Sequence, residues 1–512
     1  MLAHPRGCYF RPFALPCPAV LSVLKRAAVA LGGVLLVALV AWIAWLWNES
    51  RLPGTYNVMN YGVADYGGGQ VPPGGHDQHV SGGVSVADLH GPAGRPDRRF
   101  TLVAKEVSIR LPSGRTVDAL TFNGQVPGPE LRVRRGDLVE VTLVNENVPA
   151  GVTIHWHGVD VPNAEDGVAG VTQNAVLPGQ RFTYRFRTDQ EGTFWYHTHQ
   201  ISSKEVRRGL FGALVIEPRG PAPRDTLDLA LVAHTFDNIV TLAGNDGLAQ
   251  RAVRSGVPVR LRLVNSDNSP QRFTLGATPF RVLALDGVDL NDPTPISNEE
   301  LEVAAGGRAD VGFTMPAAPV RLSIENTQVG LVLSTNGSAT PPAASPEQAF
   351  DPTTYGHPTR TPFGLASHFD RHFTLSIGRR PAFLDGRPGL QWSIDGHVYP
   401  HVPTFVVEKG DLVELTISNH THAIHPMHLH GHHVLVLSRD GKPVSGSPWW
   451  PDTLDVKPGE TYVVGFRADN PGLWMDHCHN LGHAAAGLTM HLVYLDVTTP
   501  FNVGDVAHNR PE

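Results

Sequence analysis

Ten of the chain's 26 histidines fall into four tight clusters, one of which also holds a cysteine. They read His155-x-His157-Gly158, His197-x-His199, His425-x-x-His428-x-His430 and His477-Cys478-His479-x-x-x-His483. Residues two apart on an extended strand point to the same face. Each His-x-His pair can therefore aim two imidazoles at one place, and neutral imidazole suits copper. Cys478 narrows the choice of metal. One thiolate with two imidazoles is the trigonal set of a copper electron-transfer site, and here that set would be Cys478, His425 and His483. Zinc is the alternative for a Cys/His set, but structural zinc sites usually use closely spaced cysteine pairs. Cys478 has no cysteine near it. On a strand, His477 and His479 would point away from the face that Cys478 uses. Two metal sites could then share one short segment, with a covalent path for electrons between them.

These clusters must be held by a scaffold, and the chain repeats itself. Arg135-Gly136-Asp137-Leu138-Val139-Glu140 recurs as Lys409-Gly410-Asp411-Leu412-Val413-Glu414. His155-Trp156-His157-Gly158 recurs as His428-Leu429-His430-Gly431, and Gly192 through His199 aligns without a gap on Gly472 through His479. A third copy lies between them, with Ser255 to Asn265 matching Arg135 to Asn145, and Gly306 and Arg308 matching Gly179 and Arg181. Its histidine positions read Leu275, Ala277, Ile324 and Asn326, so it has the scaffold without ligands. A single histidine is usually a satisfied structural residue. Four clusters in register in two of three repeats are not explained that way.

Runs such as Asp137 to Val144 and Phe182 to Phe186 are apolar and β-branched, and turns follow every ten residues or so. With 53 Gly and 43 Pro, this is an all-β chain: three tandem β-sandwiches behind an N-terminal transmembrane helix. The expected divisions are 1–50 for a cytoplasmic tail and anchor, 51–98 for a Gly/Pro-rich tether, 99–220, 221–345 and 346–500 for the three sandwiches, and 501–512 for a tail. The net charge of −7 comes without long charged runs, which argues against nucleic acid as a partner. His76, His79 and His90 lie in the tether and are expected to be solvated.

Ala27 to Trp47 is 21 residues without a charge, and about 20 suffice to span a bilayer as a helix. Arg6, Arg11, Lys25 and Arg26 precede it, so the N-terminus is expected to stay cytoplasmic. Asn48-Glu49-Ser50-Arg51 offers no small-x-small cleavage site. The expectation is an uncleaved single-pass anchor in the cell membrane with the sandwiches outside; export after signal cleavage is the alternative. Cys8 and Cys17 precede the apolar run, so Cys478 would be the one cysteine of the exported part, without a disulfide partner.

The four motifs, in this order, resemble the copper signatures of the multicopper oxidases, the family of laccases and ascorbate oxidase. The resemblance covers residues 100 to 500 and extends to the three-domain type, whose middle cupredoxin domain lacks copper. It implies Greek-key cupredoxin sandwiches and four copper ions. Cys478, His425 and His483 would be type 1 ligands. His155 and His428 would be type 2 ligands, and His157, His197, His199, His430, His477 and His479 would hold the type 3 pair. Domains 1 and 3 would each give four histidines to a trinuclear cluster at their interface. A donor would pass single electrons to type 1 copper, and dioxygen would be reduced to water at the cluster. The enzyme would be a laccase-like, copper-dependent oxidoreductase, expected as a monomer.

Three neighbouring positions add detail. Leu488 lies five residues after His483, where the family places its axial residue, and leaves that position without a sulfur donor. Asp166, in Glu165-Asp166-Gly167, resembles the family's acid beside the trinuclear cluster; a proton-delivery role competes with a plain Asp-Gly turn. Many family members carry a carboxylate between the residues matching His479 and His483, but here the segment is Asn480-Leu481-Gly482. The donor stays open between a phenolic or aromatic reductant and a metal ion. Six methionines argue against a Met-rich cuprous site. Asp452 and Asp455 could line an access for metal ions or be ordinary surface acids. A copper-free scaffold on the same fold would have lost its ligands, and a copper nitrite reductase would carry its type 1 cysteine in the first of two domains.

Overall fold

The computed structural model describes residues 18–71, 83–220, 225–276, 278–339 and 341–512. Cys8, Cys17, His76, His79 and Ala277 lie outside these residues. Three sandwiches follow one another, each of two sheets. In each, the repeated motif forms a central eight-residue strand: Leu138–Asn145, Pro258–Asn265 and Leu412–Asn419. Each runs parallel to its domain's first long strand and antiparallel to the strand after the Pro-Gly or Gly-Gly turn. Burial alternates along Leu138–Asn145 and Leu412–Asn419, because successive side chains face the core and then the other side.

The asparagine that ends each strand does the same work three times. Asn145 Nδ2 donates to the carbonyls of Val148 and Val176, Asn265 to Val303 and Ser269, and Asn419 to Ala423 and Val456. Each is fully buried and closes the loop that follows. In the middle domain, Leu275 and Ile324 pack into the apolar core where the outer domains carry histidine.

The described residues of the segment 51–98, which are 51–71 and 83–98, do not form a solvated tether. Val63–Asp65 adds a parallel edge strand to Pro403–Val407, and Val84–Ser85 pairs with Val497–Thr498. Val58, Met59 and Val86 are buried in the third domain's core. Gly and Pro here shape turns between short pairing segments, and three scattered apolar residues leave no period to read. The C-terminal tail is also bound: Tyr56 bridges Val503, and the buried Asn509 accepts from Ala175 N. Gln348–Ala349 extends a sheet of the second domain, past the expected division at 345.

The helix Pro18–Glu49 is long and apolar enough to cross a membrane between Leu21 and Glu49. Its end touches the third domain. Trp47 Nε1 donates to Gly386 O (3.1 Å), and Gly386 N donates to Ser50 Oγ (3.1 Å).

Candidate metal centre

Six of the ten clustered histidines lie on short, fully buried strands, His199, His430 and His479 follow closely on strand ends, and the half-buried His483 lies on the short helix Leu481–Ala485. His155–His157 pairs with Gly192–His197, opposing His155 to His197. His425–Leu429 pairs with Leu473–Cys478, opposing His428 to His477 and Met427 to Cys478. Alternation then does what the spacing suggested. His477 faces His199 and His430, with Nε2 separations of 3.4 and 3.2 Å. Cys478 faces the other way, its Sγ 3.6 Å from His425 Nδ1 and 3.7 Å from His483 Nδ1. His428 Nε2 lies 3.4 Å from His155 Nε2, joining the first and third domains.

Outer partners fix the rings. His155 Nδ1 contacts Asp166 O (3.0 Å), His428 Nδ1 contacts Asp452 O (2.8 Å) and His197 Nδ1 contacts Thr198 O (2.9 Å). His430 Nδ1 meets the Asp166 carboxylate at 3.1 Å. Each leaves Nε2 for the interior. His157 is turned the other way: its Nε2 meets Asp452 Oδ1 (3.1 Å) and Thr453 Oγ1 (2.9 Å), and Nδ1 is left over. Such outer contacts set which nitrogen carries the proton and which a metal can use.

The residues fit copper on three counts. Among the described residues, His157 Nδ1, His197 Nε2, His199 Nδ1 and both nitrogens of His479 are buried without a hydrogen-bond partner. Burial, reinforced by the neighbouring imidazoles, holds His157, His197, His199, His430 and His479 well below the ordinary histidine range. Burial likewise brings His428 and His477 down to about 3. These rings are therefore neutral, and since His430 and His477 both donate outward through Nδ1, their Nε2 lone pairs, facing one another at 3.2 Å, cannot satisfy each other; a copper ion can. His425 falls to about 3 and His483 to about 4, mainly by burial. Burial pushes the Cys478 thiol up, so only a bound cation would favour its thiolate.

The structure thus brings nine of the ten histidines and Cys478 into groups close enough to share an ion, with His425, Cys478 and His483 set apart from the rest, and the His479 ring packs 4.8 Å from His157 and 5.4 Å from His197. Asp166 is fully buried and touches both His155 and His430. It is also the turn residue of the bland reading: Gly167 adopts φ +77°, and a Cβ there would collide with Ile154 O. Leu488 is fully buried, its carbonyl accepting from Cys478 N at 3.1 Å. Met490 is buried in the same core. His90 is exposed and lies 3.6 Å from Glu165.

Several residues were misjudged or missed in the sequence reading. Asp452 is no surface acid: it is buried and ion-paired to Arg308. Asp455 is half-buried in the wall of a cavity, with its carboxyl pushed up to about 8 by burial and the nearby Glu302. Trp392 packs against His425 (4.9 Å) and His483 (4.5 Å), and Arg379 stacks over its ring at 4.3 Å. Glu205, pushed up to about 9 by burial, accepts from the hydroxyl of Thr198, which sits between two of the ligand candidates. A lone Trp, Arg or Glu leaves no spacing signal.

A three-sandwich chain carrying one thiolate-imidazole site joined through a strand to an eight-histidine site is a copper protein built for electron transfer. Two family models described as multicopper oxidase match residues 104–221 and 373–497. A multicopper oxidase of Pseudomonas thermotolerans of known structure is 30% identical, over 78% of this chain and 100% of that one, with a TM-score of 0.63. Laccase-1 of Botryotinia fuckeliana is 27% identical over 78% of this chain and 82% of its own. The multicopper oxidase MmcO of Mycobacterium tuberculosis is 26% identical over 77% and 86%.

The chain belongs to the multicopper oxidase family. It is a copper-dependent oxidoreductase that takes electrons from a phenolic or metal-ion substrate and reduces dioxygen, using four coppers of types 1, 2 and 3.

Proposed function

We propose that His425, Cys478 and His483 hold type 1 copper, that His155 and His428 hold type 2, and that His157, His197, His199, His430, His477 and His479 hold the type 3 pair. The observation that carries this reading is the opposed facing of His477 and Cys478 on one strand. Bound copper supplies one-electron acceptance at the first site and dioxygen reduction at the second. The chain's own residues do the rest. The Cys478 backbone joins the two sites. Asp166 steadies His155 and His430 and can hold a proton beside them. Both halves of the eight-histidine site come from one chain, which supports a monomer as the working unit.

The donor is an organic reductant. Arg379 lies over Trp392, which covers His483, and its positive charge is felt at both His425 and His483. A fixed cation there repels cuprous or ferrous ion and accepts a neutral or anionic aromatic. The helix Pro18–Glu49 stays attached as an anchor, supported by its contacts with Gly386 and by the lack of a cleavage site.

Cys478→Ser tests the core of this reading. The wild type is expected to be blue with four coppers per chain; the variant should lose the blue colour and turnover but keep most of the other copper. Full copper without colour in the wild type would overturn the assignment. N-terminal sequencing of membrane-bound protein tests the anchor, and a start beyond Trp47 would overturn it.

A further inference from the structure

The strand Arg371–Leu384 outruns its sheet. Arg371 to Ile377 pair with the central strand Leu412–Asn419, but Gly378 to Leu384 pair only with Arg387 to Ser393. This part of the hairpin leaves the third domain as a two-stranded ribbon, an arrangement that is marginal in water by itself. Cross-strand partners share a face. Pro381 opposes Leu390 and Phe383 opposes Pro388, so one face of the ribbon is apolar. Leu390 is 53% exposed on it, with Pro381 and Pro388 exposed alongside.

The tip of the ribbon is tied to the end of the apolar helix. Trp47 Nε1 donates to Gly386 O, and Gly386 N donates to Ser50 Oγ. Nearby, His401 Nε2 lies 3.2 Å from the backbone carbonyl of Glu49 and 3.4 Å from its carboxylate. Trp42, Trp45 and Trp47 are exposed on the last turns of the helix, and tryptophan settles at the headgroup level of a bilayer. A ribbon tip bonded to Trp47 lies at that level too. The charges agree. Arg379, Arg380 and Arg387 are exposed on the ribbon, and Arg51 is exposed beside it. Arg51 and Arg379 lie over the Trp47 and Trp392 rings, and Arg379 and Arg380 donate to the carbonyls of Leu390 and Gly396. None of the four is ion-paired among the described residues. Asp385 is the ribbon's one carboxylate, and Glu49 is taken by His401. The whole chain carries −7, so this cationic corner runs against its overall charge.

We propose that this ribbon docks on the bilayer that holds the helix, with its Pro381–Leu390 face in the headgroup layer and Arg51, Arg380 and Arg387 on anionic lipid phosphates. The proposal rests on the anchored reading above. Arg380 and Arg387 start from the opposite face, but arginine arms are long enough to reach around the edge of a two-stranded ribbon. The attachment then has two points. A helix alone leaves the body free to swing about the residues that follow it, and contact at the ribbon removes that freedom. Trp392, which packs against His483, stands at the base of the ribbon. Docking therefore holds the thiolate-imidazole side of the molecule toward the membrane. Each arginine close to an anionic surface strengthens binding roughly fivefold, and salt screens the gain.

The test uses the full-length holoenzyme in two sets of nanodiscs, one of phosphatidylcholine alone and one of phosphatidylcholine mixed with phosphatidylglycerol. Amide hydrogen exchange along the ribbon should be several-fold slower in the anionic discs, and molar salt should remove the difference. Arg380→Gln combined with Arg387→Gln should remove most of it. Leu390→Glu, which puts a carboxylate on the exposed apolar face, should do the same. These positions are exposed and lie outside the copper ligand set, so unchanged blue colour certifies each fold. Equal exchange in the two kinds of disc, or slowing that survives salt and all these changes, overturns the docking surface. Recovered protein that starts beyond Trp47 would defeat the anchor instead. That shorter protein is then sedimented with phosphatidylglycerol vesicles. Binding weakened roughly fivefold by each arginine change supports the ribbon surface, and no binding overturns it.

Discussion

Arg308 reaches out of the ligand-free middle domain and grips both carboxylate oxygens of Asp452 in the third, with Nη1 2.7 Å from Oδ1. The same Oδ1 lies 3.1 Å from His157 Nε2 in the first domain, and Arg308 Nε donates to Thr193 O there (3.1 Å). All are buried. Arg308 holds the Asp452 carboxyl well below the usual carboxylate range, so the carboxylate stays charged and His157 presents Nδ1 inward. The middle domain lacks ligands, yet it orients one.

Arg308→Leu should therefore do more than loosen an interface. Removing one partner of a buried ion pair costs on the order of 3–5 kcal/mol, and His157 loses its orienting charge. The expected result is a lower melting temperature, loss of copper from the eight-histidine site and slower dioxygen reduction, with the blue colour retained. Arg308→Lys should fall between, because a lysine cannot reproduce the bidentate grip. Full copper content and an unchanged melt in the leucine variant would show that Asp452 acts alone.

Asp166→Asn keeps shape and removes charge. Its carboxylate meets two ring nitrogens, His155 Nδ1 at 3.0 Å and His430 Nδ1 at 3.1 Å. An amide oxygen can still accept from His430, and His155 keeps the backbone carbonyl of residue 166, but an amide cannot deliver a carboxylic proton. Stopped-flow mixing of reduced enzyme with dioxygen should show reoxidation slowed by roughly two orders of magnitude, the low end of general acid catalysis. Anaerobic reduction of the blue band should be nearly unaffected. Unchanged reoxidation would leave Asp166 a turn residue only.

The buried imidazoles also make the copper-free protein acid-sensitive. His425, His428 and His477 sit at about 3 and His483 at about 4, against roughly 6.5 in the unfolded chain. Between those values the unfolded state binds protons that the folded state refuses. Stability contributed by these groups is therefore present above about pH 6.5 and is lost as pH falls toward 3–4, by up to about 1.4 kcal/mol per pH unit for each group. Copper competes with protons for the same nitrogens and should flatten this loss. Denaturant midpoints of copper-free and copper-loaded protein from pH 7.5 to 4.5 check it; parallel profiles would mean that the ligands do not limit acid stability.

Legibility in the sequence followed spacing. The clustering of these histidines around Cys478 was readable because pairs two apart on strands had to share a face, and because two repeats carried them in register. The strands ending at Asn145, Asn265 and Asn419 were readable for the same reason. The roles of Asp452, Arg308 and Trp392 were not, since each acts through a partner 50 to 300 residues away. The described parts of the segment 51–98 were misread because edge pairing as short as Val63–Asp65 leaves too few residues to show a period.

Leu488 gives the sharpest test of the copper site's electronics. Its residue type places no sulfur five positions after His483, and its carbonyl holds the Cys478 amide at 3.1 Å, so the loop is pinned against the thiolate. Without an axial sulfur to donate to the oxidised metal, the type 1 potential should be comparatively high. Leu488→Met is close to volume-conserving, and such buried swaps usually cost less than about 1.5 kcal/mol, so the variant should fold. Redox titration of the blue band should then show a lower potential, and turnover should fall most for donors that are hard to oxidise, while binding of copper stays complete. An unchanged potential with an intact blue band would remove Leu488 from the axial position. Met490 is not then rescued by default: Asp476 opposes it on the neighbouring strand and Thr489 and His491 flank it, so Met490→Leu must itself shift the potential before it can take that role.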